Sequence, residues 1–129
     1  MAAAPVIRPG LRPFHNRMPE EFIERWETFA FQHGRLKRPQ MLRIGLNILE
    51  EMAGRDFEEL RETTKVPSLH PELHPFHTKM PEDFIERWET FAFNHGRLKR
   101  PPMLRLVLAV CEALSAEQFQ ARLASLPAK

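Results

Sequence analysis

Leu11-Arg-Pro-Phe-His-Asn-Arg-Met18 and Leu73-His-Pro-Phe-His-Thr-Lys-Met80 carry the same short signal twice in one chain. Each is short and roughly alternating: Phe14 and Met18 fall on one side, His15 and Arg17 on the other, the period-two pattern of a strand. Asn16, and Thr78 in the second stretch, fall on the apolar side. Pro13 and Pro75 lack an N–H and suit only an edge position or a strand start. Both stretches belong to a longer duplication. Residues 11–43 align with 73–105 at a constant offset of 62 without a gap, and only six of the 33 positions differ: Arg12/His74, Asn16/Thr78, Arg17/Lys79, Glu21/Asp83, Gln32/Asn94 and Gln40/Pro102. Similarity continues more weakly, so that Phe57 still falls on Phe119. Two copies are too few for a solenoid. A pair is what an intramolecular two-fold requires, two half-cores that each need the other.

Outward from the strands, Pro19 is expected to open a helix at its first turn, where a missing N–H costs nothing. Glu20, Glu21 and Glu24 then sit near the positive end of the helix dipole. Phe22, Ile23, Trp26, Phe29 and Ala30 form an apolar stripe at helical spacing, and Gly34 supplies a stop. After Arg35-Leu-Lys-Arg38, Pro39 is expected to open a second helix carrying Met41, Leu42, Leu46, Ile48, Leu49 and Met52 and ending near Gly54. The second copy repeats this from Pro81 to Gly96 and from Pro101 to Leu114. A trailing helix follows each unit, one capped by Asp56 around Phe57 and Leu60. The other starts at a capping box of Ser115 and Gln118 before Phe119 and Leu123. The expected class is mostly α with a two-stranded antiparallel β-ribbon. The expected division is a flexible N-terminus (1–10), a first repeat (11–62), a Pro/Ser-containing linker (63–72) and a second repeat (73–126), the repeats forming one compact domain.

Composition narrows the function. Of 129 residues, 43% are hydrophobic, enough for a packed core, and 19 Lys+Arg against 17 Asp+Glu leave a net charge of +2, so charge placement rather than total must indicate a partner. The single cysteine, Cys111, excludes an internal disulfide framework and fits a reducing cytosol. No apolar run approaches the ~18 residues of a bilayer span, and Met1-Ala-Ala-Ala-Pro5 lacks the charged and apolar regions of a signal peptide. The expectation is a cytoplasmic protein without membrane partners.

Strand, proline-opened helix, Gly-basic turn and second apolar helix together resemble the ribbon-helix-helix family of the MetJ and Arc repressors. Pro13-Phe-His-Asn-Arg-Met-Pro19 looks like the family's ribbon leading into its first helix, and His33-Gly34-Arg35 like its inter-helix turn. The resemblance covers about 43 residues of each copy. It implies an obligate two-fold unit in which two strands pair antiparallel, here supplied by one chain as a tandem-repeat pseudodimer. It also implies double-stranded DNA as partner, with the ribbon in the major groove. Carried over by position, the base-contacting residues are Pro13, His15, Arg17, Pro75, His77 and Lys79. The phosphate-contacting residues, at the N-termini of the second helices, are Arg35, Lys37, Arg38, Arg97, Lys99 and Arg100. The family's polar cap on the second helix is replaced by Arg38-Pro39 and Arg100-Pro101, which shifts phosphate contact toward the Arg side chains.

Charge placement agrees: the ribbon and turns are basic, and the acidic residues gather on the first helices and around Asp56, Glu58, Glu59 and Glu62. His70, His74 and His77 match no zinc spacing and have no nearby Cys, so no metal is expected. His33 and His95 read as helix C-terminal residues, Trp26 and Trp88 as core, Cys111 as an inert core thiol. No phosphate loop, HExxH or nucleophile elbow is present, so neither enzymatic activity nor a cofactor is expected. The functional expectation is a DNA binder acting as a transcriptional repressor or as an accessory factor in DNA processing or conjugative transfer, with possible self-association on DNA. The alternatives are a protein-interaction module such as an antitoxin, and a structural pseudodimer that has lost DNA binding.

Overall fold

A computed structural model describes residues 10–64 and 72–126 of the chain. Two strands, β1 (Leu11–Phe14) and β2 (Arg17–Pro19), precede three helices, α1 (Glu20–Gln32), α2 (Arg38–Glu51) and α3 (Gly54–Thr63). The second copy runs in the same order: β3 (Leu73–Pro75), β4 (Thr78–Pro81), α4 (Glu82–Asn94), α5 (Arg100–Ala113) and α6 (Ala116–Ala124). The described chain is mostly helical with a small antiparallel ribbon. Expectations for the N-terminus before Gly10, for Pro67, Ser68 and Pro71 of the linker, and for His70 lie outside the described residues. Thr63 is the last residue of α3 rather than linker.

The ribbon joins the copies. β1 pairs antiparallel with β4, Phe14 opposite Thr78, and β2 with β3, Arg17 opposite Pro75. One register therefore runs through both pairs and sets His15 opposite His77, equivalent positions of the duplication. Phe76 N–H donates to the Asn16 carbonyl at 2.9 Å, so 16 and 76 form a hydrogen-bonded pair. Alternation then leaves Pro13 and Pro75 at non-hydrogen-bonded positions, where a missing N–H weakens nothing.

The strands enter the core crosswise. Phe14 is fully buried against the second copy, edge-on to Trp88 with centroids 5.1 Å apart, and Phe76 is edge-on to Trp26 of the first copy at 5.0 Å. The trailing helices cross too. Phe57 of α3 packs on Phe91 and His95, and Phe119 of α6 packs on Phe29 and His33. Between them α2 meets α5 in the most extensive contact among the described elements. Cys111 lies in this layer, and burial, with the Glu112 carboxylate adding to it, pushes its thiol up to about 12. No helix among the described residues is long and apolar enough to cross a membrane.

Helix ends depart from expectation in four places. Pro19 and Pro81 cap α1 and α4 in extended conformation instead of standing in the first turn, because each is still paired in the ribbon, Pro19 with Leu73 and Pro81 with Leu11. Lys37 and Lys99, not Arg38-Pro39 and Arg100-Pro101, occupy the cap of α2 and α5, so both arginines are helical. Gly54 begins α3 rather than ending α2. Asp56 lies in the first turn of α3 behind an Ala53 cap, where its charge meets the dipole without capping it. The Ser115 box forms as expected, with Gln118 N–H donating to Ser115 Oγ at 3.1 Å and Ser115 N–H to Gln118 Oε1 at 3.0 Å.

Candidate functional site

The pleat of the ribbon turns Phe14, Asn16, Met18, Phe76 and Met80 inward, where they are buried, and leaves Pro13, His15, Arg17, Pro75, His77 and Lys79 exposed on the other face. At its centre the imidazoles of His15 and His77 stack with centroids 4.2 Å apart. Asn16 N–H donates to His77 Nδ1 at 3.2 Å, so Nδ1 is the accepting nitrogen of that ring. The buried Asn16 amide donates to the Phe14 carbonyl at 3.3 Å, so a polar residue on the apolar side is satisfied by its own strand. The Arg17 guanidinium donates to the Leu73 carbonyl at 3.3 Å and lies along the ribbon.

The N-termini of α2 and α5 flank the ribbon, and here the six expected phosphate residues divide. Arg35, Lys37, Arg97 and Lys99 are exposed. Arg38 and Arg100 are half-buried and engaged within the protein. Arg38 Nη1 donates to the His77 carbonyl at 2.8 Å, Nη2 pairs with Glu27 at 3.1 Å, and the guanidinium covers the Phe76 ring at 4.1 Å. Arg100 pairs with Glu89 at 3.2 Å and covers Phe14 at 4.4 Å. Each therefore braces the ribbon against a helix with its charge offset by a carboxylate. Nothing in the sequence signals this bracing, since Arg38 and His77 are 39 residues apart and meet only through the pairing of the copies.

Free backbone donors at these helix ends are fewer than a helix N-terminus ordinarily offers. Pro39 removes one N–H from the first turn of α2, and Gln40 N–H already donates to the Lys37 carbonyl at 3.1 Å. Pro101 and Pro102 remove two from α5. The expected grip through free N–H groups is correspondingly reduced.

The turns leading to these ends are tightly built. Gly34 and Gly96 hold φ near 93° and 91°, and the next residues, Arg35 and Arg97, are also left-handed at 58° and 57°. A side chain in that region costs roughly 1–2 kcal/mol. The turn makes up part of this cost: Leu36 N–H reaches the Ala30 carbonyl and Leu98 N–H the Ala92 carbonyl, both at 3.0 Å. The Arg35 and Arg97 guanidinium groups rest over Phe31 and Phe93 at 5.5 and 5.3 Å. Left-handed arginines carry no sequence mark beyond the preceding glycine.

Several acidic side chains pair across the two copies. Arg25 meets Glu112 at 2.6 Å, Arg105 meets Glu21 at 3.0 Å, and Arg87 pairs with Glu50. Glu82 pairs with Arg12 of β1, at the end of the ribbon, at 3.2 Å. Comparison with family models, with curated proteins and with solved structures found no match.

Proposed function

We propose that the chain is a single-chain tandem ribbon-helix-helix protein, its repeats forming one pseudo-two-fold domain, and that it binds double-stranded DNA with the paired strands in the major groove. The observation that carries this reading is the outer ribbon face, where six exposed side chains stand opposite a buried aromatic face with two cations among them, Arg17 and Lys79. A two-stranded ribbon fits the major groove, and an Arg there can donate twice to guanine O6 and N7. Lys79 supplies a point charge instead of a fork. His77, with Nδ1 accepting from Asn16, has Nε2 as its remaining ring nitrogen.

Phosphate contact falls to the exposed Arg35, Lys37, Arg97 and Lys99, through side chains more than through helix N–H groups. Arg38 and Arg100 act as positioning residues that hold the ribbon level with the helix ends. The role such a binder takes is that of a cytoplasmic transcriptional repressor or an accessory factor in DNA processing or conjugative transfer. An antitoxin-like module would need an uncommitted C-terminal segment. α6 is not such a segment, since it docks through Phe119, buried against Phe29 and His33.

Fluorescence anisotropy with labelled random-sequence duplexes, titrated over a salt series, tests the proposal. Four phosphate contacts lower log K by about 3.6 per decade of salt, at about 0.9 each. The R17A/K79A double variant should keep most of that slope while losing preference for any duplex selected from a random pool. Absence of duplex binding at low salt, or a slope near zero, rules the proposal out.

A further inference from the structure

The two copies are nearly identical up to the second turn of the second helix and then diverge. Over residues 11–43 only six of 33 positions differ from the second copy, whereas over 44–57 only Leu46, Glu50 and Phe57 match their counterparts Leu108, Glu112 and Phe119. The divergence begins where α2 meets α5. Gly45 lies buried inside α2, an unfavourable residue for a helix interior. Its counterpart at the offset of 62 is Val107, buried inside α5. A Cβ built on Gly45 would overlap Val107 Cγ1 and lie only 3.0 and 3.1 Å from Val107 Cβ and Cγ2. No other glycine among the described residues has a neighbour within 4 Å of such a Cβ.

Residues 45 and 107 are thus equivalent positions facing each other, the place where a symmetric pair would have to set a residue against its own copy. Valine against valine overlaps, because even one added carbon at 45 has no room. Glycine against glycine leaves the space of an isopropyl group empty. Of these pairings, glycine against valine fills the crossing. Two further contacts are one-sided in the same way. Glu51 takes both Arg122 nitrogens at 2.8 and 2.9 Å, and the counterparts of this pair are Ala113 and Leu60. Arg87 donates to Asn47 at 2.7 Å, and the counterpart of Asn47 is Ala109.

We infer that the α2–α5 crossing is a heterotypic lock: the first repeat's α2 face takes a second-repeat α5, from its own chain or an exchanged one, and rejects another α2. The ribbon is then always a mixed one, with Arg17 and Lys79 contributed by opposite strands. Whatever the ribbon contacts meets two unlike halves. This holds independently of what the ribbon binds.

Thermal unfolding with size-exclusion chromatography of four full-length chains tests the lock: wild type, Gly45→Val, Val107→Gly, and the exchanged G45V/V107G. Overpacking and cavity formation should each lower Tm by at least about 5 °C. The exchanged chain should regain more than half of the summed loss and elute as wild type does. If Gly45→Val does not fold, Gly45→Ala serves, lowering Tm in the wild-type chain and raising it in the V107G background. A Gly45→Val chain as stable as wild type, an exchanged chain regaining less than half, or a Gly45→Ala effect of the same sign in both backgrounds overturns the lock.

Discussion

Replacing Phe76 by alanine removes a ribbon side chain that is 2% exposed and lies in the other copy's core. Its ring stands edge-on to Trp26 at 5.0 Å and Phe22 at 5.6 Å, with the Arg38 guanidinium over its face at 4.1 Å. A buried Phe→Ala change costs about 3–5 kcal/mol. The edge-on pairs account for roughly 0.5–1.5 kcal/mol each beyond burial. Against a total of about 5–15 kcal/mol, the loss approaches global unfolding. With an m-value of about 2 kcal/mol/M, the urea midpoint falls by roughly 2 M. Tryptophan fluorescence reports it directly, since Trp26 and Trp88 are fully buried beside Phe76 and Phe14. A ribbon merely laid on the surface predicts a change within about 0.5 kcal/mol. Such a result, with unchanged emission, would refute the crosswise insertion of the strands.

The R35G/R97G double variant replaces two left-handed arginines by the residue that backbone favours. Stability should hold or rise by up to about 1 kcal/mol per site, the strain relieved exceeding the exposed contacts with Phe31 and Phe93. The log–log salt slope of DNA binding should flatten by about 1.8, about 0.9 per site; a thermal melt and an anisotropy titration check the two arms. Hydrogen bonds from Arg122 hold the Glu51 carboxyl below its ordinary value of 4.5. A depressed carboxylate contributes stability above its unfolded range and loses it as pH falls through the folded value. Glu51→Gln should therefore cost less than about 1 kcal/mol at neutral pH, as expected for an exposed pair, and nothing well below the carboxylate range, as urea melts at the two pH values would show. Cys111, buried with its thiol pushed up to about 12, should resist alkylation at mildly alkaline pH and react fully once urea unfolds the chain.

The strands were legible because alternation of Phe14 and Met18 with His15 and Arg17 is local, and their partnership because the duplication offers each strand an equivalent. Helix cores were legible for the same reason, as Phe22, Trp26 and Phe29 repeat at helical spacing. Helix ends were less so. Pro19 reads as a first-turn residue until its pairing with Leu73 shows it still extended. Likewise Gly54 reads as a stop, although glycine can also begin a helix. Among the site residues, exposure of the outer ribbon follows from the pleat. The inward commitment of Arg38 and Arg100 depends on rings in the opposite copy, which no local pattern encodes. Gly45 is unremarkable in sequence and becomes meaningful only when Val107 is found against it.

Dimethyl sulfate probing of guanine N7, on the duplex selected most strongly by the protein, asks whether the outer ribbon face enters the major groove as proposed. That nitrogen lies on the major-groove edge. Protection of guanine N7 within one groove segment, lost when Arg17 and Lys79 are both replaced by alanine, is the predicted result. Unprotected guanines in a saturated complex, or protection that survives the double replacement, would mean that Arg17 and Lys79 do not read the major groove.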